Sequence, residues 1–273
     1  MKKVLIVFDG EHFSKGAVDF AYKMNETSPI LLVGIFLPSV DYTDVMLYYI
    51  GGMAGPLYIP SLDSDANSIE DNIEKFKAIC IKYHIEFRVH DLVNGPIIEA
   101  IKKETRYSDV FVLGNELYYS NLGLSSKETY LRDTLHNAEC PILLIPENSV
   151  FPQSVILAYD GTQTSVYAIK QYAYLFPELT NLSTLIVYAS DKKDDMPDLS
   201  YIEEFAARHF KDLSFMKLDA DPKKYFNTWI MDKGNALLVC GSYGRTSFSE
   251  MFKKNFVADI IKEHKLPILI AHM

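Results

Sequence analysis

The sequence predicts two tandem α/β domains, each a five-stranded parallel sheet. Three observations carry that prediction. An opening motif occurs twice: Val4-Leu5-Ile6-Val7-Phe8-Asp9-Gly10 returns as Val155-Ile156-Leu157-Ala158-Tyr159-Asp160-Gly161. Each copy also closes on a proline-led apolar run, Pro141-Ile142-Leu143-Leu144-Ile145-Pro146 and Pro267-Ile268-Leu269-Ile270-Ala271-His272. Between opening and close, short apolar runs alternate with helical patterns. Repetition at domain length means two copies of one fold, and strand–helix alternation means parallel strands joined by right-handed crossovers.

In the first copy, residues 4–9 form an unbroken apolar run, as expected of a strand buried on both faces. Ala17, Val18, Phe20, Ala21 and Met24 then mark one face of a helix over 14–24. A second strand is predicted over 30–37. A helix follows over 66–83, with Ile69, Ile73, Phe76, Ile79 and Cys80 inward. The third strand spans 85–92. Asn94-Gly95-Pro96 makes a turn with proline at a helix start, followed by a short helix over 97–103. The fourth strand spans 109–113, the last helix 127–138 and the fifth strand 141–145. The second copy repeats this order more compactly, with strands near 155–159, 183–189, 212–218, 236–240 and 267–271. Its helices are expected near 164–175, 198–209, 222–232 and 250–263. The domains are set at 1–147 and 153–273. Their link, Glu147 to Gln153, is short and stiffened by Pro146 and Pro152, so the domains are expected to pack together.

Composition bounds the function. A chain of 273 residues, 48% hydrophobic and 23% charged, suits two globular domains. A net charge of −9 argues against general binding to nucleic acid or an anionic membrane surface. No apolar run reaches the roughly 18 residues of a membrane span. The basic start Met1-Lys2-Lys3 leads into a strand that meets Asp9, which is not the pattern of a signal peptide. Cys80, Cys140 and Cys240 are widely spaced, with no CxxC; Cys140 and Cys240 read as small core residues. Together these features predict a cytoplasmic protein. The seven histidines form no HxH, HExxH or His/Cys cluster at metal-ligand spacing. There is no G-x-S-x-G elbow and no full Walker pattern.

The copies differ most at 39–64, where the first carries an apolar insertion rich in Tyr, Met and Gly. A segment this long and apolar must bury itself. It reads as a packing flap first, a self-association surface second and a ligand lid third. The mixed-sign run Asp191 to Asp198 reads as a solvated loop, with Asp198 near a helix start. Tyr225, Phe226, Trp229 and Ile230 have helical spacing and read as core.

After its fourth strand the second copy reads Gly241-Ser242-Tyr243-Gly244-Arg245, continuing to Lys253-Lys254-Asn255. Two glycines three apart beyond a buried strand let backbone N–H groups approach an anion. The helix N-terminus behind them adds partial positive charge, and Arg245 can pair with a phosphate. An ordinary tight turn is the competing reading. For Asp9 and Asp160 the choice lies between an acidic group at a strand end and an Asp-Gly turn that caps the next helix.

In context, these residues resemble the universal stress protein family over nearly the whole chain. Residues 160–168 look like its opening, Gly241 to Asn255 like its phosphate loop, and Val257-Ala258-Asp259-Ile260-Ile261 like its last helix. The resemblance implies doubly wound sheets of order 3-2-1-4-5 and a pseudo-dimer of the two domains. Ligands of such sheets bind at the carboxyl ends of strands one and four. ATP-binding members place the acidic residue near the nucleoside and wrap phosphates with G-x2-G-x9-G-[ST]. Carried over, this marks Asp160, Gly241, Gly244 and Arg245, with Lys254-Asn255 standing where the family has Gly-[ST]. Lys254 offers a cation and Asn255 a hydrogen-bond donor. In the first copy, Leu117 replaces the second glycine and Glu116 adds an anion, so no nucleotide is expected there. The SGGxDS loop of related pyrophosphatases is absent.

The sequence therefore predicts a non-enzymatic regulatory protein with ATP or another adenine nucleotide in the second domain, no metal, and self-association or an unknown protein partner. The alternatives are an interaction protein with both loops decayed, and a weak nucleotide hydrolase.

Overall fold

A computed structural model describes residues 1–9, 13–37, 62–91, 97–114, 137–190, 194–219, 229–230, 233–241 and 266–271. In the first half, β1 (Lys2–Asp9), α1 (Lys15–Thr27), β2 (Ile30–Leu37), α2 (Leu62–Lys82), β3 (Glu86–Asp91), α3 (Ile97–Arg106), β4 (Val110–Gly114) and β5 (Ile142–Ile145) follow in order. The second half contains β6 (Ser154–Ala158), α4 (Gln163–Leu175), β7 (Ser183–Ser190), α5 (Leu199–His209), β8 (Asp212–Asp219), β9 (Ala236–Gly241) and β10 (Ile268–Ala271). A single 3₁₀ turn, Pro177–Leu179, links α4 to β7. Within the described residues, the strands and helices lie where the apolar pattern places them. Most of the predicted helices at 127–138 and 222–232, Tyr225 and Phe226 among them, all of that at 250–263 and most of the 39–64 insertion fall outside these residues.

The ten strands form one sheet of order β3-β2-β1-β4-β5-β10-β9-β6-β7-β8. Counted within itself, each half has the order 3-2-1-4-5. Neighbouring strands run parallel within each half, and β5 meets β10 antiparallel, pairing Leu144 with Ile268, Leu143 with Leu269 and Ile142 with Ile270. Packing of the halves was expected from the short link; their fusion into one sheet comes from the fifth strands, buried throughout on both sides of the junction.

Because successive strand residues face opposite ways, each buried run feeds two layers. Val4, Ile6 and Phe8 join Ala17 and Ala21 of α1 and Phe76 of α2, and the same layer continues into Val155, Leu157, Ile169 and Tyr172. Leu5, Val7, Phe111 and Leu113 join Ile101 of α3 on the other side, continuing into Leu238, Cys240, Ile268 and Ile230. Both layers thus cross the junction. Ile230 is buried and Trp229 packs beside that layer, in keeping with a core role.

Polar contacts fix the helix ends and the seam. Ser14 caps α1 by accepting the Ala17 N–H at 3.3 Å. Glu147, predicted as plain linker, accepts the Lys15 N–H at 2.9 Å and the Ser14 hydroxyl at 3.0 Å, so its carboxylate meets the positive end of α1. Helix α2 ends with His84 in the left-handed region, φ 54°; the Ile85 N–H reaches Cys80 O at 2.9 Å and the His84 N–H reaches Ile81 O at 3.2 Å. Across the halves, the Lys2 ammonium donates to Leu175 O at 2.6 Å, pairs with the Glu178 carboxylate and lies 5.1 Å from the Phe176 ring centre. A cation is favourable at the C-terminus of α4. Phe151 of the link packs on Phe20 with ring centroids 4.9 Å apart.

All three cysteines are free and buried, and burial pushes each thiol from its ordinary 9.0 up to about 12. The folded state keeps these thiols protonated while the unfolded chain ionises them. Their contribution is therefore intact below about pH 9 and declines as pH rises toward 12, by at most about 1.4 kcal/mol per pH unit for each thiol. Urea unfolding between pH 8 and 10 is expected to show this decline, and a variant with all three cysteines replaced by alanine a shallower one. Equal slopes would refute the assignment.

Candidate functional site

In a doubly wound sheet a crevice opens where the strand order reverses. In the second half that point lies between β6 and β9, since β7 continues on one side of β6 and β9 on the other. Leu157 is in register with Val239, which brings the chain leaving β6 level with Gly241 at the end of β9. Strand β6 ends at Ala158, and Tyr159-Asp160-Gly161 turn the chain into α4.

The turn is held by a compact hydrogen-bond set. Asp160 Oδ1 accepts from the Thr162 N–H at 2.9 Å and from the Thr162 hydroxyl at 2.6 Å. Thr162 Oγ1 in turn accepts the Ser165 N–H at 3.3 Å, making Thr162 the N-cap of α4. The predicted Asp-Gly turn is present, but the capping group is Thr162 rather than Asp160. The carboxylate sets the cap from behind, as Asx turns do. Sequence reading missed Thr162, although a threonine just before an apolar helical run is a standard N-terminal signal.

Gly241 lies against the first turn of α4. A Cβ at this position would stand 2.4 Å from Thr164 O and 2.7 Å from Ser165 N. Glycine is thus required here by strand–helix contact, a reason separate from anion approach. Asp160 and Gly241 are brought together on one helix turn. Gly244, Arg245, Lys254 and Asn255 lie outside the described residues.

Behind the turn sits the segment Asp194–Asp198. It departs from the predicted solvated loop: Asp194 and Asp195 are exposed, but Met196 is buried. The Ser190 hydroxyl donates to Asp194 at 2.8 Å and the Tyr188 hydroxyl at 3.0 Å, and the Ser190 bond leads in holding this carboxyl below its usual range. Tyr159, itself buried, donates its hydroxyl to Pro197 O at 2.9 Å. Burial first, then the charges of Asp198 and Asp160, push the Tyr159 phenol above its ordinary range. Gly161 has φ 78°, and a Cβ there would come within 2.6 Å of the Pro197 ring. Asp198 occupies the N-cap position of α5 in a left-handed conformation, φ 49°, with no side-chain cap bond. Among the described residues no group of three His, Cys, Asp or Glu is placed to hold a metal ion. No helix among them is long and apolar enough to cross a membrane.

This architecture has counterparts among solved structures. A universal stress protein from Archaeoglobus fulgidus DSM 4304 superposes with a TM-score of 0.71 at 14% identity, covering 99% of this chain and 96% of that one. The chain has the universal stress protein fold. A functionally unknown protein from Pseudomonas aeruginosa PAO1 matches at TM-score 0.54 and 10% identity, over 100% of this chain and 92% of that one. No protein-family profile and no curated protein matches the chain. The universal stress protein fold therefore rests on three-dimensional similarity, and function has to be argued from the site.

Two substitutions probe the turn. Gly241→Ala is expected to destabilise the protein by about 2–4 kcal/mol, because its methyl group meets backbone atoms that cannot rotate away. Thr162→Ala should cost about 1–2 kcal/mol through loss of the cap, and Thr162→Ser should restore most of it. Denaturant midpoints of the variants check both values; an Ala variant as stable as the parent at either position would refute the packing or the cap.

Proposed function

We propose that the chain is a non-enzymatic regulatory protein of the universal stress class, acting in the cytoplasm, whose second domain binds ATP or another adenine nucleotide. The observation that carries this reading is the convergence of Asp160 and Gly241 on the first turn of α4, at the point where the strand order reverses. Asp160 would accept hydrogen bonds from the nucleoside. Backbone N–H groups of Gly241 to Gly244 would face the phosphates, with Arg245 and Lys254 supplying cations and Asn255 a donor. Domains 1–147 and 153–273 would act as an intrachain pseudo-dimer, the first contributing packing surface and the insertion at 39–64. Binding would change a docking surface by ordering residues 242–254, a shift driven by the ligand's preference for one state.

Equilibrium binding of ATP tests the reading. The parent protein should bind, Gly244→Asp should lose at least about tenfold because it sets an anion beside phosphates, and Asp160→Asn should bind several-fold more weakly. Equal affinity across the three proteins, or no binding by the parent, refutes the site.

A second reading follows from Lys254-Asn255, which stand where the family pattern has Gly-[ST]. If both loops have lost nucleotide binding, the apolar 39–64 segment becomes the working surface, in self-association or with another protein. That reading expects no ATP binding by the parent, and a changed oligomeric state when 39–64 is shortened.

A further inference from the structure

The two halves carry aligned openings that differ in one informative atom. Val7-Phe8-Asp9-Gly10 stands against Ala158-Tyr159-Asp160-Gly161, so the aromatic residue before the aspartate is Phe in one half and Tyr in the other. Both side chains are buried in the same layer of the core. Phe8 is surrounded by rings, stacked on Phe13 at 4.8 Å and on Phe36 at 4.9 Å, with Phe76 edge-on at 5.7 Å. Tyr159 uses its extra oxygen to hold Pro197 O. A buried hydroxyl requires a partner, and here the partner comes from the segment that leads into α5.

That bond has a geometric consequence. With its carbonyl held, Pro197 rests against Gly161: the proline ring fills the place of a Cβ there, and the positive φ of Gly161 is itself one that glycine adopts readily. Gly161 lies between Asp160 and Thr162, which anchors the Asp160 carboxylate with two bonds. The other end of the segment is tied to β7 by the hydroxyls of Ser190 and Tyr188. The non-glycine left-handed backbone at Asp198 persists only where its surroundings hold it. The first half differs at two described points. Phe8 has no hydroxyl, and α1 is capped by Ser14, further along the chain after its aspartate than Thr162 is after Asp160.

We propose that Tyr159 is a positioning residue of the second-half crevice: its hydroxyl clamps the Pro197 carbonyl, presses segment 194–198 against Gly161, and so fixes the turn that presents Asp160 to a ligand. This rests on the nucleotide reading for its ligand, but the clamp itself does not. It assigns the retained function of the second half to a hydroxyl that the first half lacks, in addition to its glycine turn.

The test is Tyr159→Phe, which installs the residue the scaffold already accepts at Phe8 and removes one oxygen. Three measurements are made on the full chain: amide exchange at Thr162 and Ser165, whose N–H groups are bonded within the turn, ATP binding, and the denaturant midpoint. Exchange at these two amides is expected to quicken at least tenfold, with protection in β6 and β9 kept. ATP affinity is expected to fall about tenfold. Unchanged exchange in Tyr159→Phe overturns the clamp whether or not the parent binds ATP. Faster exchange with undiminished ATP affinity overturns the positioning role. A parent that binds no ATP refutes the nucleotide reading alone, and the exchange result then decides the clamp. If Tyr159→Phe lowers exchange protection uniformly, the bond is a general stabiliser and the proposal fails. Pro197→Ala, which keeps the carbonyl and removes the ring from Gly161, should quicken exchange at Thr162 while sparing the Tyr159 bond; parent-like exchange in this variant also counts against the proposal.

Discussion

The antiparallel pairing of β5 with β10 joins two sheets that would each otherwise end in an apolar edge. All eight residues of these two strands are buried, and a strand edge of Ile and Leu left open to water is a template for aggregation. Closing the two edges on each other removes that hazard and aligns the core layers of the halves. It also leaves β3 and β8 as the sheet's outer strands, and these carry Glu86, Arg88 and Asp91, and Asp212, Lys217 and Asp219. Charged edges of this kind resist pairing with other chains.

The seam positions the candidate site indirectly. Strand β10 pairs with β9 along its length, up to Ala271 beside Gly241. Gly241 packs on the first turn of α4, and the far end of α4 is held by Lys2 from the first half. Helix α4 is thus fixed at its N-terminus by its own half and at its C-terminus by the other. The turn between β6 and α4 is packed against β9, and the segment behind it is held by hydroxyls.

Much of this was legible in the sequence, for reasons specific to particular residues. Strands buried on both faces become unbroken runs such as Val110–Gly114 and Ala236–Gly241, and helices such as α1 show one apolar face. The Asp160 turn and the glycine at the end of β9 were also legible, because Asp-Gly and Gly after an apolar run have few other uses. Less legible were contacts between residues far apart in the chain. Nothing local marks Lys2 as a partner of Leu175, or Glu147 as the group that meets α1. In the charged run 191–198 the exposed Asp194, Asp195 and Asp198 fit a solvated loop, but Met196 is buried and Pro197 accepts the Tyr159 hydroxyl, contacts that the acidic residues around them hide. His84 ends α2 in a conformation usually given to glycine, and no pattern in the sequence announces it. Four of the six nucleotide-site residues read from the sequence, Gly244, Arg245, Lys254 and Asn255, lie outside the described residues.

The seam has a further consequence for how the chain reaches its native state. Its two strands belong to opposite halves, so each half can assemble locally before the pair forms, and contacts between distant parts of a chain are slow to make. Until then β5 is an open strand, and the β10 of a second molecule fits it as well as the chain's own. At high protein concentration during refolding the two compete, and the product of the wrong choice is a strand-exchanged dimer with the native seam formed between two chains. The interaction that fuses the molecule is therefore also its most direct route to entanglement with a neighbour.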